Sequence, residues 1–166
     1  CDWMDLSSTG KLSIKAYYYS KSDPTYDFEV NIGKSKYYNA SLNKEADAKV
    51  LELAAKAQEY ALKNYPNAPV YGIVKYFDNW ICENNYYHQT GVDGGDSKDG
   101  KVQEIYYYCH SSYGILLKGY GVCESYALAM TRLLDAIGIP NMYALGQVPS
   151  GGHAWNYVQM PNGKWY

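Results

Sequence analysis

Arginine is almost missing from this chain. Arg132 is the single arginine among 15 basic residues, so forked recognition of phosphates or carboxylates is not a recurring device. No sign of charge is in excess either: 15 Lys+Arg stand against 17 Asp+Glu, a formal net charge of −2. A nucleic-acid binder that neutralises a phosphate backbone needs a basic surface, and this balance excludes one. No apolar run approaches the roughly 20 residues of a membrane-spanning helix. Phenylalanine occurs only twice. The four cysteines, Cys1, Cys82, Cys109 and Cys123, show no two-residue spacing of the kind that makes a zinc knuckle or a redox motif. Cys1 opens the chain without a targeting segment, which says nothing of what precedes it.

What is present is tyrosine, 21 times in 166 residues. An apolar ring with a polar tip suits half-buried surfaces and wet grooves. With 47% hydrophobic and 19% charged residues the chain has material for one core, which excludes a disordered segment. The length fits one domain, or one domain with an appendage.

Alternation of apolar and polar β-formers predicts strands over 11–20 and 26–33 around a turn at Ser22-Asp23-Pro24, with a short third strand over 36–40. The period then changes. Ala46, Val50, Leu53, Ala54, Ala57 and Ala61 predict a helix over 43–64, with Glu45 and Asp47 in its first turn and Pro66 beyond its end. A second helix over 70–85 places Val70, Ile73, Phe77 and Ile81 on one face, and Cys82 reads there as a small buried hydrophobe. Residues 91–101 (GVDGGDSKDGK) read as a solvated loop. Its aspartates do not follow the spacing of a helix–loop–helix calcium site. A short helix over 111–117 and a stronger one over 123–137, ended by Gly138 and Pro140, precede strands over 141–148 and 153–160 and a hairpin through Pro161-Asn162-Gly163.

Two segments carry chemistry. In GYGVCESYALAMTRLL the glycines bring the chain tightly to Cys123, which opens an amphipathic helix. The unpaired N–H groups and positive dipole end of that helix stabilise a thiolate, the nucleophilic form, and can also stabilise an oxyanion beside it. In GGHAWN, His153 and Trp155 share one strand face while Ala154 and Asn156 share the other. A nucleophile at a helix start and a base on a later strand is what thiol acyl transfer requires. At each position a structural role is the alternative: a buried cysteine at a core helix, a structural histidine, core packing for Trp155. A metal site from Cys109, His110, Cys123 and His153 has poor spacing, because Cys109 and His110 are adjacent and point apart.

The pieces SYGILLKGYGVCESYA, LLDAIGIP and GGHAWNYVQMPNGKWY, with IVKYFDNWICENNYY before them, resemble the transglutaminase-like superfamily of papain-like cysteine enzymes, in its bacterial type. The resemblance covers roughly residues 70–166 and leaves 1–65 unassigned. It implies an α+β, papain-like core with helices packed on an antiparallel sheet. Residues 1–40 are then a β extension or the remnant of a preceding domain, and 41–166 the catalytic domain, cut short at its C-terminal end. It implies Cys123 as nucleophile and His153 as general base and acid. Trp155 walls the groove, Tyr87 is the candidate oxyanion donor, and the third, acidic member is expected just past Tyr166. Asp135 lies about three turns along its helix, too far from Cys123 to replace that acid. The implied activity is acyl transfer on amide or peptide bonds through a Cys thioester, with hydrolysis favoured over cross-linking. A catalytically inactive module binding peptide or carbohydrate is the alternative. The substrate is a protein or peptide; no metal or organic cofactor, nucleic acid or membrane span is implied, and the oligomeric state is left open.

Overall fold

The structure is a computed structural model that describes residues 39–89, 93–149 and 151–166, together with the backbone pairing of 12–18 and 26–32. It divides into two compact units, Cys1–Asn39 and Ala40–Tyr166. In the first, β1 (Leu12–Tyr18) and β2 (Tyr26–Ile32) pair antiparallel, with Leu12 opposite Ile32 and Tyr18 opposite Tyr26. The turn expected at 22–24 and most of the strand expected over 36–40 lie outside the described residues.

The second unit is α+β. Two long helices come first, α1 (Ala40–Asn64) and α2 (Pro69–Asn84). The α1 stripe of Ala46, Val50, Leu53, Ala57 and Ala61 is buried and mostly small, which lets α2 approach closely. A side chain on Gly72 would meet the Ala61 Cβ at 2.9 Å. Pro69 sits in the first turn of α2, where its missing N–H removes no helical bond. After β3 (Tyr86–Tyr87) come α3 (Gly100–Cys109), a π-helical turn (Gly114–Lys118), β4 (Tyr120–Gly121) and α4 (Cys123–Ile137). Gly138 ends α4 in the left-handed region, φ 73°, and its N–H returns to the helix carbonyls. β5 (Asn141–Val148) and β6 (Gly151–Val158) then pair antiparallel, Tyr143 opposite Asn156. A return through Gly163 pairs Tyr166 with Val158 by two backbone hydrogen bonds, 2.9 and 3.1 Å. The core joins Leu53, Phe77, Tyr113, Ile115, Leu133 and Leu134, all essentially inaccessible, so α4 is covered by α1 and α2 on one side and by the hairpin on the other. Among the described residues no helix is long and apolar enough to cross a membrane.

Three expectations need correction. The loop expected over 91–101 gives way at Gly100 to α3, because the Asp99 side chain accepts a hydrogen bond from the Lys101 N–H and caps it. The first helix starts three residues before its expected start, so Glu45 and Asp47 are not in its first turn. Asp47 serves a tertiary ion pair instead. Cys82 is exposed, because its side of α2 faces an open groove rather than the core.

The single arginine is buried at the α1–α4 contact. Its guanidinium donates to Ser112 Oγ (3.0 Å), Asn43 Oδ1 (3.1 Å) and Asp47 Oδ1 (2.6 Å), with the Tyr113 ring beneath it at 5.7 Å. A planar fork with several fixed donors satisfies three acceptors at once, which an ammonium cannot match in geometry. Arg132→Ala is therefore expected to lower stability by about 2–4 kcal/mol in urea unfolding, and Arg132→Lys to recover only part of it.

Candidate active site

Cys123 is the first residue of α4, and its location is set by backbone contacts just upstream. β4 lies parallel to β3, with Tyr86 N–H on the Gly119 carbonyl (3.0 Å) and His88 N–H on that of Gly121 (2.9 Å). Val122 N–H reaches the Cys109 carbonyl at 3.2 Å. Beneath the thiol, the fully buried Ser125 hydroxyl is shared between the backbone carbonyls of Ser111 and Tyr108. That packing leaves no room for side chains opposite it. A Cβ on Gly121 would collide with Ser125, and one on Gly114 with the Tyr108 and Tyr120 carbonyls. Val122, the N-cap residue, offers no side-chain hydrogen bond to the first amides of the helix.

The β3–β4 pairing delivers Tyr87. Its phenol is pushed up by burial first, while its hydroxyl meets both the backbone N–H of Cys123, which pulls the other way, and the Cys123 side chain, which adds to the rise. Tyr87 stacks on Tyr126 at 6.2 Å and 28°. Behind the helix start, burial pushes the inaccessible Cys109 thiol up to about 11. On the other side burial pushes the Tyr143 phenol up to about 12, with smaller contributions from Glu124 and Cys123. Glu124 itself pairs with His110, Oε2 to Nδ1 2.7 Å, on the part-buried side of the helix start.

The β5–β6 hairpin brings His153 and Trp155. As the alternation requires, Ala154 and Val158 turn inward and are buried, while His153 is exposed and stacks on Trp155 at 6.1 Å and 26°. Asn156, which sequence reasoning left without a role, ties the hairpin to α4. Its amide donates to the Ala127 carbonyl (3.1 Å) and to Thr131 Oγ1 (2.9 Å). The only sequence signal for this is the spacing of residues 127 and 131 by one helical turn.

Cys123, Tyr87, His153 and Trp155 all line one groove of about 420 Å³ between α2, the start of α4 and β6. The four predicted site residues are thus brought together, although among the described residues no hydrogen bond joins the Cys123 thiol to the His153 imidazole, and no carboxylate bonds that imidazole. A larger cavity of about 520 Å³, between α2 and the 158–166 return, is lined by Tyr71, Val74, Val158 and Met160 and offers no comparable chemistry. Among the described residues no group of three His, Cys, Asp or Glu side chains is placed to hold a metal ion. A thiol at a helix start, a phenol against it and an imidazole across the same groove are the components of thiol acyl transfer.

Comparison with known proteins bears on the family and the fold. The model of the transglutaminase-like superfamily matches residues 64–166, more than half of the chain. No curated protein matches the sequence. Among solved structures, a TGase is similar over 80% of this chain at 16% identity, with a TM-score of 0.56. A candidate cysteine protease from Cytophaga hutchinsonii is similar over 76% of it at 20% identity, with a TM-score of 0.42. The chain spans 33% and 40% of the lengths of those two structures. At such identities the first likeness speaks for the fold.

Tyr143 gives this site a signature in alkaline stability. Its phenol keeps its proton to about 12 in the folded chain and loses it near 10 when exposed by unfolding. The folded state therefore binds more protons between those values, so stability is full below about pH 10 and is lost as pH rises toward 12. Urea midpoints measured from pH 9 to 12 should fall less steeply in Tyr143→Phe. The slope that remains should begin lower, near the exposed-thiol value of about 8.5, because Cys109 titrates in the same sense.

Proposed function

The chain belongs to the transglutaminase-like superfamily, a family of cysteine-nucleophile enzymes, and we propose that it carries out acyl transfer on amide or peptide bonds with Cys123 as nucleophile. The observation that supports this best is the convergence of Cys123, Tyr87 and His153 on one groove.

In this reading the Cys123 thiol passes its proton to His153, Sγ attacks the substrate carbonyl carbon and the carbonyl oxygen becomes an oxyanion. The Tyr87 hydroxyl, already against the Cys123 side chain and N–H, turns to donate to that oxygen together with first-turn amides of α4. His153 delivers a proton to the departing nitrogen, the C–N bond breaks, and an amine leaves a thioester on Cys123. Water then attacks the thioester, His153 takes its proton, and the carboxylic acid departs as the thiol is restored. Hydrolysis is favoured over transfer to an acceptor amine because water needs no dedicated site. Trp155, stacked beside the imidazole, forms the wall that limits the ring's movement. The acid that orients the imidazole is proposed to follow the Trp165–Tyr166 pair, and Asn156 to hold β6 in register with α4.

Thiol labelling tests the nucleophile. At one near-neutral pH, Cys123 should react with iodoacetamide clearly faster in the folded chain than in the urea-unfolded chain, and Cys123→Ala should abolish that reaction. The readout has to resolve individual cysteines, since Cys82 is exposed in the same groove, whereas Cys109 should label only on unfolding. A Cys123 rate no higher in the folded chain than in the unfolded one would reduce the groove to a binding module. For the oxyanion role, Tyr87→Phe should lower kcat toward an activated acyl substrate by about 10²-fold with little change in KM.

A further inference from the structure

We propose that the groove selects peptide substrates bearing a cationic side chain, lysine or arginine, close to the bond attacked, and that Asp78 is the residue that selects them. This rests on the reading of Cys123 as the nucleophile and adds to it a substrate class.

The lining of the groove is largely apolar, aliphatic at Ile81, Met130 and Val158 and aromatic at Tyr87, Tyr126 and Trp155. Tyr87 and Tyr126 form a stacked pair along one wall, and Trp155 stands on β6. Among the described residues Asp78, on α2, is the only carboxylate in the lining, and no lysine or arginine lines it. Asp78 is exposed, and among the described residues it makes no ion pair, not even with Lys75 three residues before it. Its charge is felt within the groove. Burial is the largest cause of the rise in the Cys82 thiol, and Asp78 follows, with Glu83 adding to it. Glu124, the acidic residue beside the nucleophile, is already committed to His110. The groove therefore carries an unneutralised negative charge at its α2 wall and aromatic surfaces toward the thiol.

A lysine or arginine side chain fits both features. Its methylene stem lies along apolar rings while its charged head seeks a carboxylate, and the ring faces attract the cation in addition. An acidic substrate side chain meets repulsion in the same place, so the selection works in both directions. Because Asp78 is exposed, the expected preference is modest and salt-sensitive.

The test uses two arms. In the first, peptidyl acyloxymethyl ketones identical except for one flanking residue (Arg, norleucine or Glu) alkylate Cys123, and site-resolved mass spectrometry gives the second-order rates. The order Arg, norleucine, Glu is expected, with steps of about fivefold at low salt that shrink as salt is added. In Asp78→Asn the Arg-to-norleucine ratio should collapse to about one, and in Asp78→Lys the order should invert. In the second arm, Cys123→Ala binds the corresponding peptide amides, followed by calorimetry, and should show the same order without any chemistry. Equal rates and affinities for the three peptides, or a preference that survives in Asp78→Asn, would overturn the proposal. So would an equal loss for all three probes in Asp78→Asn, which would make Asp78 a support for the imidazole. Failure of Cys123 to react while the binding order holds would overturn the nucleophile reading and leave the charge selection standing.

Discussion

One buried hydroxyl governs where the Cys123 thiol sits. Ser125, itself fully buried, shares its proton between two carbonyls at the junction of α3 and the π-helical turn. A buried acceptor left without a donor is costly, so the first turn of α4 has one position that satisfies all three groups. The close approach it requires is possible only because residues 114 and 121 have no side chain. Since Cys123 is two residues before Ser125, the position of the thiol follows from that bond. The same approach of β4 to β3 places the Tyr87 hydroxyl against the thiol.

The remaining groups reach the groove on elements far apart in the chain, and each has its own anchor. Arg132 joins α4 to α1 through Asn43, Asp47 and Ser112, about two and a half turns beyond the thiol. Asn156 joins β6 to the opposite side of α4. A helix held at its start, its middle and across its sheet face leaves little freedom for the thiol, while the imidazole rides on a two-stranded hairpin with an exposed outer face. The thiol thus sits on the more firmly anchored element and the imidazole on the less anchored one.

Much of this was legible in the residues. The α4 bounds of 123 and 137 and the β5 bounds of 141 and 148 coincide with expectation, because strong amphipathy, a glycine C-cap and regular alternation all point the same way. The face assignment of His153 and Trp155 against Ala154 and Asn156 needed only the two-residue period of a strand. α3 was not legible. The loop reading of 91–101 runs into the first two residues of this helix and leaves 102–109 unassigned, and the aspartate cap that sets its start is one hydrogen bond. Cys82 misled for a different reason: it lies within an apolar helical pattern, and periodicity reports which residues share a face but not whether another element covers it.

By itself, the sequence determined the local settings of the two candidate residues: a cysteine opening a helix after closely spaced glycines, and a histidine near the start of a strand, are local patterns whose physical consequences do not depend on the rest of the chain. Only the tertiary structure decided that these residues share a groove, that Tyr87 stands in it beside the thiol, that the lone arginine is an internal brace, and that Asp78 faces the same space. Those are facts of proximity between residues tens of positions apart. They arise from burial and from the satisfaction of polar groups across elements, which no local window of sequence contains.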